Sequence, residues 1–240
     1  MCYRYVLQKE VLEALAASLG VACAVGWKSR YNIAPGSAVP AVKGAVGGGE
    51  KFRETVLLQW GLVFPWTRTE DVGPARTPAN ARAETLATRP AFRGAFRLRR
   101  CVIPAGGFFE WTDEDGRRQP HLLRRPDGQP LALAGLWEES LPGSPEELSG
   151  TCAIITTRAN DLIKPIHDRM PAILSPEEVD RWLDPQLTES ADLSPLLKPC
   201  PDAALEAVRI TRRVNHLCND DPECIEPAPR GGSGQYSLGI

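Results

Sequence analysis

The sequence predicts an α+β fold, β-rich and organised as a single domain, with a curved, barrel-like sheet and peripheral helices. Three observations predict it. Seven short segments rich in β-branched or aromatic residues are separated by Gly, Pro and Asp-Gly signals. Only two segments carry clear helical periodicity. The 240 residues, 42% hydrophobic and 24% charged, are ordinary globular values for one large domain.

The strand candidates are 39–43, 55–60, 99–103, 107–111, 120–125, 131–136 and 151–157. Asp115-Gly116 and Asp127-Gly128 read as hairpin turns. Residues 11–19 read as a helix: Val11, Leu12, Leu15, Ala16 and Leu19 share one face, and Gly20 ends it. Ser175-Pro176-Glu177-Glu178 is a helix start, with Ser175 as cap and Glu178 closing a capping box. Gly44–Gly49 lacks the Lys-Ser/Thr of a phosphate loop and reads as a flexible hairpin tip. The domain is expected to span 1–226, followed by a flexible tail over 227–240 rich in Pro, Gly and Ser.

No run of eighteen apolar residues and no signal-peptide pattern is present, so no membrane association is expected and a cytoplasmic, nucleoid-associated location is. Seven cysteines, at 2, 23, 101, 152, 200, 218 and 224, include no Cys-x-x-Cys, which argues against a disulfide framework or a metal site. Cys101 and Cys152 read as small core residues. No cofactor is expected. The net charge of −2 does not advertise a nucleic-acid binder, but 22 of the 28 basic residues are Arg, the residue suited to bidentate phosphate contacts. Five of them fall within Arg89–Arg100, interleaved with Phe92 and Phe96; a solvated face is the plainer reading of that run.

Four positions carry the chemistry. Removal of Met1 would leave Cys2 with a thiol and a free α-amine, a pair that can condense with an aldehyde to a thiazolidine. Glu110 lies between aromatic neighbours in a predicted strand, where apolar surroundings would raise its pKa for proton transfer. His167 is one of three histidines and lies beside Asp168, which would orient it as a general acid or base. Asn80 offers an amide to position a hydroxyl, and Arg82 a grip for phosphate. Each has a plainer alternative: a frayed terminus, a solvent-facing carboxylate, a loop histidine, a turn before a helix.

Together these segments resemble the SRAP family (SOS response-associated peptidases). The matching stretches are 1–4, 31–36, 60–63, 80–85, 100–111, 134–138, 154–160, 166–174 and Val214-Asn215, in consistent order from residue 1 to about 226. The resemblance implies an open β-barrel with peripheral helices. It also implies a covalent DNA–protein crosslink at abasic sites in single-stranded DNA, the expected partner of a monomeric protein. By position it implies Cys2 as nucleophile, with Asn80, Glu110 and His167 as its catalytic companions. It further implies phosphate contacts by Arg4, Arg82 and Arg169, a DNA groove lined by Asn32 and Pro35, and Trp66 stacking on or wedging a base. Two departures stand out. Tyr3 occupies a position usually held by Gly, where its bulk would crowd the approach to Cys2. Phe64-Pro65-Trp66-Thr67 predicts one stacking aromatic where relatives have two. A thiol peptidase, even one limited to removing Met1, and a non-covalent single-strand binder are the rival readings.

Overall fold

The computed structural model describes residues 2–23, 26–47, 50–67 and 77–229, and two sheets carry the fold. In chain order the strands are β1 (Tyr5–Leu7), β2 (Arg30–Ile33), β3 (Ala38–Gly47), β4 (Glu50–Trp60), β5 (Asn80–Arg82) and β6 (Arg100–Ala105). They continue with β7 (Gly107–Glu114), β8 (Arg117–Arg124), β9 (Leu131–Glu139), β10 (Gly150–Arg158), β11 (Arg169–Pro171) and β12 (Glu206–Arg209). Among the described residues, four α-helices flank them: α1 (Lys9–Ser18), α2 (Pro90–Leu98), α3 (Pro176–Trp182) and α4 (Ser190–Leu193).

The smaller sheet is antiparallel throughout, ordered β12-β8-β7-β1-β2. In the larger sheet the pairings β10–β4–β3–β6–β9 return from β9 to β10, so the sheet is ring-like, with β11 and β5 attached to β10. Side-chain alternation explains why this sheet is buried on both faces. Cys101, Ile103, Leu131, Leu133, Cys152 and Ile154 join Tyr5, Leu7 and Phe108 of the smaller sheet in one core. The residues between them (Val102, Ala132, Ala134, Ala153, Ile155) join Phe92 and Phe96 of α2 and Val179 and Trp182 of α3 in a second core. Helices, ring-like sheet and open sheet thus form successive layers over two apolar seams.

The seven strands expected from sequence are present, as are α1 and the Ser175 capping box that starts α3. Asp115-Gly116 turns β7 into β8 with both residues at positive φ (53° and 74°), the two-residue hairpin expected. Asp127-Gly128 is a turn but not a hairpin. β8 and β9 lie in different sheets, because 131–136 is buried on both faces and fits only the two-sided sheet. Gly44–Gly49 lies on a β3–β4 hairpin, but Gly44 sits within β3, where a Cβ would collide with the carbonyl of Leu183 after α3. Residues 48–49, at the tip itself, lie outside the described residues. Of the expected tail, Pro227 bridges to Ile210 and Ala228 N–H donates to the Arg209 carbonyl at 2.9 Å, while 230–240 lie outside the described residues.

Most of the Arg89–Arg100 run is the amphipathic helix α2, with Phe92, Ala95 and Phe96 inward. Arg100 ends it inside the protein, 5% exposed. Its guanidinium donates to the Trp182 carbonyl (2.7 Å), the Asp184 carbonyl (2.6 Å), the Phe96 carbonyl (3.2 Å) and the Arg97 carbonyl. One side chain therefore serves the carbonyl-bearing ends of both α2 and α3. Burial pulls its pKa down to about 10, which still leaves it charged at neutral pH.

Candidate active site and strand-binding cavity

The chain start is placed by strand pairing. Tyr5 faces Phe108 across β1 and β7, and Phe109 N–H donates to the Arg4 carbonyl at 3.0 Å. Continued toward the N-terminus, this register carries Cys2 and Tyr3 alongside Glu110. Cys2 is fully buried in the core shared by the two sheets. Asn80 reaches it from the other sheet: β5 pairs in parallel with β10, and the Asn80 Nδ2 donates to the Cys2 carbonyl at 2.9 Å. Burial, with the charge of Glu110 adding to it, holds the Cys2 thiol well above the usual thiol range.

Glu110 is 2% exposed, and burial pushes its carboxyl up to about 7, with Arg118 among the groups opposing the shift. His167 follows the turn at Ile163, to whose carbonyl its N–H donates at 2.9 Å. Its Nδ1 lies 2.9 Å from the backbone nitrogen of Arg169 and 3.0 Å from Asp168 Oδ1. These two contacts require opposite states of Nδ1, an acceptor for the first and a donor for the second. The backbone N–H is a fixed donor, whereas the Asp168 side chain is 87% exposed and screened by water. Desolvation lowers the pKa of the ring, ahead of the opposing effect of Asp168. His167 is therefore neutral at pH 7 with its proton on Nε2, and the Arg169 backbone, not Asp168, orients it.

Glu110 and His167 line one cavity of about 730 Å³, together with Arg4, Arg82 and Arg169. Five of the ten expected site residues thus converge. Cys2 is not on the cavity surface, but its neighbour Tyr3 is, 44% exposed. Arg169 is 8% exposed and already engaged: its guanidinium makes a bidentate pair with Glu84 (2.6 and 2.9 Å) and donates to the Thr156 carbonyl at 2.7 Å. Arg82 is exposed at the cavity wall.

Asn32 is displaced from the DNA groove expected of it. It is 2% exposed, and its amide is spent inside the protein. Oδ1 accepts from Arg4 Nη1 at 2.7 Å, and Nδ2 lies within 3.2 Å of the carbonyls of Val214, His216 and Asn219. Its place is to hold Arg4 against the C-terminal segment. Pro35 is exposed in the turn before β3, and Trp66 is 65% exposed, but neither lines the cavity. Phe64 stacks on Trp66 with ring centres 5.0 Å apart and planes 1° from parallel. Phe64 rests in turn edge-on against Phe92 of α2, 5.6 Å away, so the second ring comes from beneath.

Sequence reasoning missed Trp111, Arg118 and Asn215 as cavity residues. The signal for Arg118 was present. A two-residue Asp-Gly turn sets Glu114 opposite Arg117 and hence Trp111 opposite Pro120. Arg118 then lies diagonally across from Trp111 on the same sheet face. Asn215 fixes that tryptophan, accepting from its Nε1 at 2.7 Å.

Known proteins resemble this chain over most of its length. "Abasic site processing protein YoqW" of Bacillus subtilis is 38% identical over 199 residues, 82% of this chain and 85% of its own. YedK of Escherichia coli, also named an abasic site processing protein, is 30% identical over 82% of this chain and 84% of its own. The similarly named HMCES of Gallus gallus is 29% identical over 85% of this chain and 68% of its own. A crystal structure of a Bacteroides thetaiotaomicron protein superposes with a TM-score of 0.81 at 27% identity, covering 95% of this chain and all of that one. The family model described as SOS response associated peptidase matches residues 1–217, and the chain belongs to the SRAP family.

Proposed function

We propose that this chain captures abasic sites in single-stranded DNA as a thiazolidine crosslink on Cys2, formed once Met1 is removed. The relatives named for abasic-site processing support the substrate class. The observation that carries the chemistry is Glu110, a buried carboxyl held near neutrality beside Cys2, able both to accept and to return a proton.

An abasic deoxyribose is electrophilic only as the open aldehyde. As the hemiacetal opens, the C1–ring-oxygen bond breaks, the C1 hydroxyl gives up its proton to water and the ring oxygen gains one from water, while the Nε2–H of neutral His167 holds that oxygen by a hydrogen bond. The Cys2 amine adds to the aldehyde carbon, and Glu110 moves protons while water leaves and the imine forms. The thiol then adds across the C=N bond, sulfur to carbon and proton to nitrogen, so one water is the sole by-product. Burial supports this order: it keeps the Cys2 sulfur protonated, leaving the amine to attack first. The same protonation weighs against a thiol peptidase, whose nucleophile is the thiolate. Asn80, bonded to the Cys2 carbonyl, keeps the nucleophile in register.

The test is a denaturing gel with a single-stranded oligonucleotide carrying one abasic site. A covalent band is expected that disappears in Cys2→Ala and forms more slowly in His167→Ala. Tyr3→Gly opens the approach to Cys2 and is expected to speed capture. Absence of any wild-type band, with loss of Met1 verified by intact mass, overturns the proposal.

A further inference from the structure

Two guanidinium groups meet at one indole in the cavity. The Arg4 Cζ lies 5.9 Å from the Trp111 ring centre and the Arg118 Cζ lies 5.3 Å from it. They arrive from the strands on either side of β7, Arg4 at the start of the β1 segment and Arg118 on β8. Neither guanidinium has an ion-pair partner among the described residues. This is a costly arrangement to leave without an anion. Desolvation lowers the pKa of Arg4, and repulsion from Arg118 lowers it further.

The surroundings hold the arrangement in place. Arg4 Nη1 donates to Asn32 Oδ1 at 2.7 Å and to the Val214 carbonyl at 3.0 Å. Both bonds leave from one nitrogen, so Nη2 and Nε stay available. Asn215 accepts from the Trp111 indole and donates from its own Nδ2 to the Arg118 carbonyl at 3.0 Å. Asn32 is itself anchored by Asp220, whose Oδ1 accepts from Asn32 N–H at 3.0 Å and whose Oδ2 meets Arg30 at 2.5 Å. The segment 214–220 is thus a strap that fixes the two platforms on which the guanidiniums rest.

We propose that Arg4 and Arg118, gathered at Trp111, form a clamp for one phosphodiester of the captured strand, with Arg118 as its second and so far unassigned jaw. A phosphate offers the paired oxygens that two guanidiniums bind, and its charge relieves the repulsion between them. The proposal rests on the strand-capture reading above. It adds a consequence at the catalytic carboxyl: Arg118 lowers the proton affinity of Glu110, so a phosphate that neutralises Arg118 returns that affinity upward as the strand docks.

The test uses the full chain and a single-stranded oligonucleotide with a tetrahydrofuran residue, which lacks the aldehyde and cannot crosslink. Arg118→Gln is expected to weaken binding roughly tenfold and to reduce the slope of log affinity against log salt by about 0.7, the value for one phosphate of a single strand. Arg117→Gln is the control. It removes the same charge one residue away on the same hairpin, from the opposite sheet face and outside the cavity, and is expected to change binding less than twofold. Neutral methylphosphonates placed singly along the oligonucleotide should reveal one linkage whose neutralisation weakens the wild type clearly more than it weakens Arg118→Gln, in which only the Arg4 jaw remains. The clamp is overturned if Arg118→Gln binds as the wild type does, if Arg117→Gln matches its loss, or if no linkage separates the two proteins. If the Arg118 results hold but a true abasic strand is never crosslinked, the capture chemistry fails and the clamp stands.

Discussion

Between Arg89 and Arg100 five arginines crowd into twelve residues, whereas Arg4, Arg82, Arg118 and Arg169 are scattered across the chain. The dense group reads as a solvated face, yet three of its members serve the protein. Arg97 pairs with Glu189, Arg99 with the buried Glu138, and Arg100 with four backbone carbonyls. The scattered group meets in one cavity with Glu110 and His167. Density in sequence therefore misleads, because Arg97, Arg99 and Arg100 turn to partners within the protein while the two sheets converge the scattered arginines on one cavity. The partners of each guanidinium, not its neighbours in sequence, decide which arginines are available to a phosphate.

The largest expected effect breaks the structural side of that contrast. Arg100→Ala leaves the carbonyl ends of α2 and α3 without their donor and empties a buried site. It should destabilise the fold by about 3–5 kcal/mol, read by urea denaturation. Denaturation at the wild-type midpoint would instead place Arg100 with the binding arginines.

Glu110→Gln sharpens the catalytic side. Burial raises the folded-state pKa of Glu110 to about 7 from an ordinary 4.5, so ionised Glu110 destabilises the folded chain. A neutral isostere should stabilise the protein by roughly 2–3 kcal/mol at pH 8. The gain should shrink as pH falls from 7 to 4.5 and vanish below, while capture is lost throughout. Glu84 behaves oppositely. Its hydrogen bond from Arg169 holds it below the usual carboxylate range, so its contribution is complete above about pH 4.5 and is lost on acidification. A stability difference between Glu110→Gln and the wild type that does not depend on pH would remove the strained carboxyl from the account.

Trp66→Ala should weaken binding to intact single strands by about 1–3 kcal/mol, the scale of one base stacked on an aromatic ring. Phe64→Leu should cost less, since Phe64 supports the exposed ring from beneath rather than offering the outer face. Equal losses from the two variants would mean that both rings meet bases directly.

How much of this was legible follows from length and range. The longer strands announced themselves through β-branched and aromatic runs bounded by Gly, Pro and Asp-Gly, and the Ser175 capping box through four residues. The three- and four-residue strands β1, β2, β5, β11 and β12 are too short to show a period, and exist because distant partners pair with them. Helix α2 hid behind Gly94, a residue that reads as a breaker, although Phe92 and Phe96 have helical spacing. In the site, Cys2, Glu110, His167 and Asn80 stood out by chemistry and by resemblance. The burial of Asn32 did not, since it depends on carbonyls about 180 residues later in the chain. Arg118 was derivable from the hairpin register, but only after its turn type had been used to align the strands.

The smallest effect tests the contrast most directly. Arg97 and Glu189 are separated by 3.8 Å with side chains 50% and 74% exposed, and Arg97 also donates to the Thr188 carbonyl at 3.3 Å. Water and salt screen such a pair, and holding two long side chains costs entropy that offsets most of the attraction. Arg97→Gln should therefore change stability by less than about 0.5 kcal/mol. It should also leave the salt dependence of strand binding unaltered, since no phosphate lies over a guanidinium already turned toward Glu189. A fall in that slope by about 0.7 would instead give Arg97 a phosphate of its own. The helix would then extend the strand's path beyond the cavity, past the stacked rings of Phe64 and Trp66 that lean on its Phe92.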